Sequence, residues 1–360
     1  MTSKYLRVLK ESYKSCKRNL RAIHALSGRS QSKKIQDIDY DLQETYLITT
    51  DRGVYRLSRD GLFLVFPYHT YGIAIHKKHL FIAILIDTVS IIVRGDKQAF
   101  FSAGLPFNFQ EVYRIHTLSP TDRIHGMFMG GKSLWVANTA RNTILEIDPD
   151  TLQIKAEIPI LYDSFSAPVL YDQNHINGIS EYHGVVLFSA PKVNKKSMIG
   201  LYDGVSVTGY EYENSGVHDV YLSEEGLFFC DTFGTNQTDS GGYLVTGESF
   251  FDKPFFDNPP GVVVRGLAGT PEEFIIGHSH KGARAKRFKG HGALLMARFG
   301  QVQKKIPIDP SQVHQIICQD GLNIKPSPDK MDAEEMRAVL KNRLGEPIYS
   351  VQVSPLPPKP

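Results

Sequence analysis

The chain holds 360 residues with 41 Lys and Arg against 38 Asp and Glu, a formal net charge of +3, and 41% apolar residues. That apolar content supports a large core, and so small a net charge argues against a general nucleic-acid-binding domain. No apolar run approaches the ~18 residues of a membrane-spanning helix. The first thirty residues lack the apolar stretch of a secretory signal. Cys16, Cys230 and Cys318 show neither metal-type nor disulfide spacing, so a cytoplasmic location is expected.

Residues 1–34 carry ten Lys and Arg and one acid, Glu11, a local charge of +9. Tyr5, Leu9, Tyr13, Cys16, Leu20 and Ile23 recur at three to four residues, which predicts an amphipathic helix with a basic face. Such a face offers weak contact to an anionic membrane or a protein partner, and equally serves as the wet side of a helix docked on the fold. The body of the chain, 35–328, then reads as short apolar strands punctuated by Gly, Asn and Asp. The stretch Arg123–Asp148 contains three such strands in succession, the pattern of an antiparallel meander.

The pattern recurs. Heads of similar form begin at His69 (HTYGIA), Arg123 (RIHGMF), His175 (HINGIS), Gly216 (GVHDVY), Val263 (VVRGLA) and Gln312 (QVHQII). Their equivalent positions are Tyr71, His125, Asn177, His218, Arg265 and His314, spaced 54, 52, 41, 47 and 49 residues apart. That interval suits one four-stranded blade of a β-propeller. The sixth head lacks following strands, but TYLITTDRGVYRLSRDG (residues 45–61) has their character. The expected fold is therefore an all-β, six-bladed β-propeller closed by N- and C-terminal strands, an arrangement that leaves no open edge. Residues 329–360 follow as a helix over 332–344 capped by Asp332, a strand over 348–353 and a Pro-rich tail.

The heads RIHGMF, HINGIS and VVRGLA, with LWVANT after the first, resemble a family of bacterial conserved hypothetical proteins with His-Gly, His-Leu-Asn-Gly and Arg-Gly-Leu heads. Ile176 stands where that family has Leu, and GVHDVY departs from its Pro-His-Ser-Pro head. The resemblance covers roughly residues 60–300. It implies the six-bladed propeller and supplies no activity.

In a propeller the innermost strands line the axis, so the heads are the candidate site. His125, His218 and His314 fall in alternate heads, about 120° apart on a six-fold ring, and form the expected metal set for zinc or iron. His69, Tyr71 and His175 are candidate acid–base groups. Arg123, Asn177 and Arg265 are candidates to orient an anion. The loop 277–292 adds His278 and His280 with the cations Lys281, Arg284 and Arg287, and its glycines let backbone N–H groups approach an anion. The functional expectation is a metal-dependent enzyme acting on a small anionic substrate, with lyase, isomerase or hydrolase chemistry. The alternatives are a non-haem iron oxygenase on the same histidines and a non-catalytic binding propeller.

Overall fold

In the computed structural model the described residues are 32–354, apart from 87–88, 103–104, 117–122, 161–173, 194–195, 214–215, 224–225, 233–242, 246–261, 271, 281–290, 299–300, 309–311 and 326–330. The expected basic helix lies almost wholly outside them. Its last residues, Lys33 and Lys34, begin a strand, Lys33–Gln36, that pairs with Gly61–Phe66, so the extension stops earlier than its charge run.

Six antiparallel sheets carry the fold. Each begins at one head, with inner strands Thr70–His76, Ile124–Gly130, Ile179–Tyr182, Val217–Ser223, Val262–Gly269 and Val313–Cys318. Each inner strand contacts the next, and the sixth contacts the first, which makes the ring of a β-propeller. Five sheets contain four or five strands; the one begun by Val217–Ser223 has three among the described residues. The expectation of six four-stranded blades is corrected to five complete ones. The ring closes as expected: Tyr46–Thr50 pairs with Val313–Cys318, bringing the two ends of the chain into one sheet.

Every blade is covered on both sides by neighbours, so strands such as Ser133–Asn138 and Tyr46–Thr50 are buried throughout rather than on alternate residues. Ala74 and Phe81 of the first blade pack with Ile124, Met127 and Leu134 of the second. Further round, Phe128, Ile179, Phe188, Phe228, Leu267 and Phe274 belong to one apolar cluster shared by four blades. Emptying one such aromatic site costs about 3–5 kcal/mol, so the ring is held by its blade-to-blade faces.

The head glycines explain how the inner strands come so close. A Cβ on Gly72 would lie 2.3 Å from the His125 carbonyl oxygen, and one on Gly126 would lie 2.3 Å from that of Asn177. The Gly126 amide in fact donates to Asn177 O at 2.9 Å. Two heads lack this glycine, and their side chains bridge the ring instead. Asp219 adopts a left-handed backbone (φ 55°) and accepts the Gly266 amide at 2.7 Å. Gln315 accepts from Ile73 N at 3.0 Å and donates to Met127 O at 2.7 Å.

The C-terminal helix spans Ala333–Leu344 with Asp332 in a capping box and Gly345 at its end. Its Met336 and Leu340 are buried in a cluster with Tyr210 and Leu201. Strand Tyr349–Gln352 then pairs with Ser206–Gly209 and covers the outer edge of the third sheet. Among the described residues no helix is long and apolar enough to cross a membrane.

Candidate functional site

The pairing register breaks at or beside the head residue in five inner strands: between Thr70 and Ile73, opposite His125, between His218 and Tyr221, between Val264 and Leu267, and next to His314. Such bulges rotate a side chain out of the sheet's alternation. Tyr71, His125, Asn177, His218, Arg265 and His314 accordingly line one cavity on the axis, with Asp219, Tyr221 and Gln315. Its internal space of about 20 Å³ is room for an ordered water or an ion.

The upstream residues do not form the separate layer that strand spacing suggests. Each lies beside the head residue of the preceding blade. His69 stacks on His314 with ring centroids 5.4 Å apart and planes 3° from parallel. The Arg123 guanidinium donates to the Tyr71 hydroxyl and lies 5.0 Å from its ring. His175 meets His125 edge-on at 4.8 Å. His175 also departs from expectation locally: it precedes the strand, in a left-handed conformation at φ 55°. The result is a single interleaved cage.

Hydrogen bonds fix two of the imidazoles. Thr139 Oγ1 gives its proton to the Ile176 carbonyl, so at 2.7 Å from His125 Nδ1 it accepts. His125 is thereby protonated at Nδ1. His218 Nδ1 lies 2.7 Å from Gly216 O and 2.7 Å from Thr232 Oγ1, while Thr232 donates to Val264 O at 3.0 Å. A carbonyl only accepts, so this ring is also protonated at Nδ1 and carries its lone pair on Nε2. The two threonines stand fourteen residues after their histidines and tether the next blade. They were missed in the sequence, where that shared spacing was the available signal.

The cage favours neutral imidazoles. Burial first, then Arg123 and Arg52, push His69 down to about 3. Burial and the neighbouring histidines and arginines hold His125 and His314 well below their ordinary value. Asp219 moves the opposite way, raised by burial to about 6 against the opposing pull of the Gly266 amide and Arg265.

Although His125, His218 and His314 share the cavity, among the described residues no three His, Cys, Asp or Glu side chains are grouped to hold a metal ion. The reason is local: His314 is held in a stack with Tyr71, at 4.2 Å, and with His69, while His125 and His218 are tethered within their own blades. His314 Nε2 is buried without a hydrogen-bond partner among the described residues.

The second candidate surface is only partly described. His278 and His280 both lie on the strand Glu273–His280, not in a loop. His278 is buried and lowered to about 4 by desolvation and Lys305, and His280 is exposed. Neither lines the axial cavity. Lys281, Arg284 and Arg287 fall outside the described residues.

No family model matches the chain, and no curated protein matches it. Several solved structures are similar in fold. A chain of a nidogen–laminin complex is 11% identical with a TM-score of 0.51, covering 77% of this chain and 99% of that one. Virginiamycin B lyase from Staphylococcus aureus is 15% identical, TM-score 0.41, with coverage of 67% and 84%. A quinonprotein alcohol dehydrogenase-like protein from Bacteroides thetaiotaomicron is 11% identical, TM-score 0.45, with coverage of 78% and 79%. At these identities the likeness is one of fold.

Proposed function

We propose that this protein is a six-bladed propeller enzyme whose axial cage, with room for only a water or an ion as it stands, opens by side-chain movement to bind a small organic anion, with chemistry of the lyase, isomerase or hydrolase type. The blade count takes the three-stranded sheet begun by Val217–Ser223 as the remaining blade. One observation carries the functional reading. Arg123 and Arg265 place positive charge among neutral imidazoles, and Asp219 is the one carboxylate among the residues that line the cavity. An anion offsets that charge, and the planar guanidinium groups suit a carboxylate or phosphate. Its arrival also relieves the field that depresses the histidines, so an imidazole with a lone pair at Nε2 becomes a better proton acceptor when substrate is present. Tyr71, in hydrogen-bond contact with Arg123, lies between His69, His125 and His314 and is positioned to pass a proton among them.

The same reading includes a divalent zinc or iron ion on His125, His218 and His314. Its support is the orientation of His125 and His218, whose Nδ1–H groups are anchored as those of metal-bound imidazoles usually are. Binding requires His314 to leave its aromatic stack. Zinc would supply a Lewis acid, and iron would move the reading to oxygenase chemistry.

The test combines elemental analysis of protein purified without a metal-affinity tag and calorimetric titration with small carboxylates and phosphate. Saturable anion binding that is lost in Arg265→Gln, with near-stoichiometric metal absent from His125→Ala/His218→Ala/His314→Ala, is the expected result. Anion binding without metal would sink the metal and leave the acid–base cage. Neither anion nor metal binding would leave a non-catalytic binding propeller.

A further inference from the structure

A second concavity opens at the other end of the same inner strands, between the second and third blades, where Ile124–Gly130 and Ile179–Tyr182 finish. Its volume is about 590 Å³, well within the range of small-molecule sites. Phe128, Trp135 and Glu146 sit side by side across three paired strands, and Tyr182 faces Phe128 with ring centroids 6.0 Å apart. This gives one aromatic wall.

Against that wall stands Glu181. It is only 7% exposed and lines the cavity. Its one hydrogen bond among the described residues comes from the Gly184 amide to Oε1. The other oxygen, Oε2, lies where a Cβ on Gly130 would fall, so the glycine is what admits the carboxylate to this position. Glu146, the second acid, is already engaged by Ser133 Oγ at 2.7 Å and has Lys155 Nζ at 3.8 Å. Lys132 also lines the cavity but is exposed at its rim. His183, two residues on, also lines the cavity; burial raises the Glu181 pKa against the opposing pull of the Gly184 amide and of His183, so the carboxylate carries a burial cost that a bound cation would offset.

We propose that this cleft is a binding site for a small organic ammonium, with its cationic head on Glu181 Oε2 and its apolar body against Phe128, Trp135 and Tyr182. Carboxylate and aromatic faces attract a cation together, and an anion or a neutral isostere gains only part of that interaction. The site is separate from the axial cage and does not depend on its function.

Trp135 is the single tryptophan of the 360 residues, so tryptophan emission, excited selectively at the red edge where the 17 tyrosines do not absorb, reports on this cleft alone. The full-length protein is titrated with phenethylammonium, 2-phenylethanol and phenylacetate. The proposal expects a saturable change in Trp135 emission with phenethylammonium, at least tenfold weaker binding of the alcohol, and none of phenylacetate. Glu181→Gln, checked for folding by circular dichroism, should weaken phenethylammonium at least tenfold, and Lys132→Ala should not. Equal affinity for the alcohol, unchanged binding in folded Glu181→Gln, or no saturable change in the wild type would each overturn it. The comparison of the three isosteres needs no variant, so it stands even if Glu181→Gln fails to fold.

Discussion

Thr139→Val and Thr232→Val test whether the cage is held by its second row of hydrogen bonds. Both changes keep shape and remove one hydroxyl. In Thr139→Val two buried groups lose a partner: the Ile176 carbonyl and the His125 Nδ1–H, whose remaining acceptor is Arg123 O at a long 3.4 Å. In Thr232→Val the His218 Nδ1–H keeps Gly216 O at 2.7 Å, and only the Val264 carbonyl is stranded. Each stranded buried group costs about 1–3 kcal/mol. The expected losses are therefore about 2–5 kcal/mol for Thr139→Val and about 1–3 kcal/mol for Thr232→Val, with Ser restoring most of either. Urea unfolding gives these numbers, and ¹⁵N spectra of labelled histidine give the tautomers. Equal losses at the two sites, or wild-type spectra showing protonation at Nε2 of His125, would refute the reasoning.

Three further outcomes follow from the geometry. Gly126→Ala drives a Cβ to within 2.3 Å of the Asn177 oxygen and should destabilise the ring by about 2–4 kcal/mol in urea unfolding, through overpacking and the strained inter-blade hydrogen bond. Asp219 has a folded pKa raised to about 6 from an ordinary 3.8, so it favours folding most below pH 4 and loses about 3 kcal/mol as pH rises to 6; Asp219→Asn should therefore gain about 3 kcal/mol relative to the wild type between pH 4 and pH 7. His278 is lowered to about 4, so its neutral form supports the fold above pH 6.5 and about 3 kcal/mol is lost on falling to pH 4, a slope opposite in sign to that of Asp219; His278→Gln should therefore gain about 3 kcal/mol relative to the wild type as pH falls from 6.5 to 4.

The ring was legible because its most demanding contact is written in residue type. Where inner strands touch backbone to backbone glycine fits best, as at Gly72, Gly126 and Gly178, and Gly266 takes a left-handed backbone (φ 79°) that favours it, so these four mark the heads and their spacing supplies the blades. The closing strand was legible for a related reason: Tyr46–Thr50 is apolar enough to be buried on both faces and has no other sheet to join. Asp219 and Gln315 hid their role, because nothing in a sequence says that a polar side chain will bridge the gap a missing glycine leaves.

The site was legible as a set of residues and not as a geometry. Blade spacing assigns His125, His218 and His314 to alternate sectors of the ring, and they do reach one cavity. Whether three imidazoles converge depends on the rotation of each ring, which is set by partners from other blades. Thr139 and Thr232 direct two of them, and the stack of His69, His314 and Tyr71 directs the third elsewhere. The bulges beside the heads interleave residues two apart in sequence with those of the preceding blade, so Arg123 meets Tyr71 instead of occupying its own layer. An aromatic stack of neutral rings is held by little more than about 1 kcal/mol per pair, whereas the tethers on His125 and His218 are buried hydrogen bonds. The loose member of the cage is thus His314, and its rotation is the movement on which metal binding turns. Replacing Tyr71 by Leu removes half of that stack and frees the ring. If the metal reading holds, Tyr71→Leu should take up zinc more tightly than the wild type in a competition titration with a chelating dye, and equal or weaker uptake by a folded variant would place the stack outside metal binding.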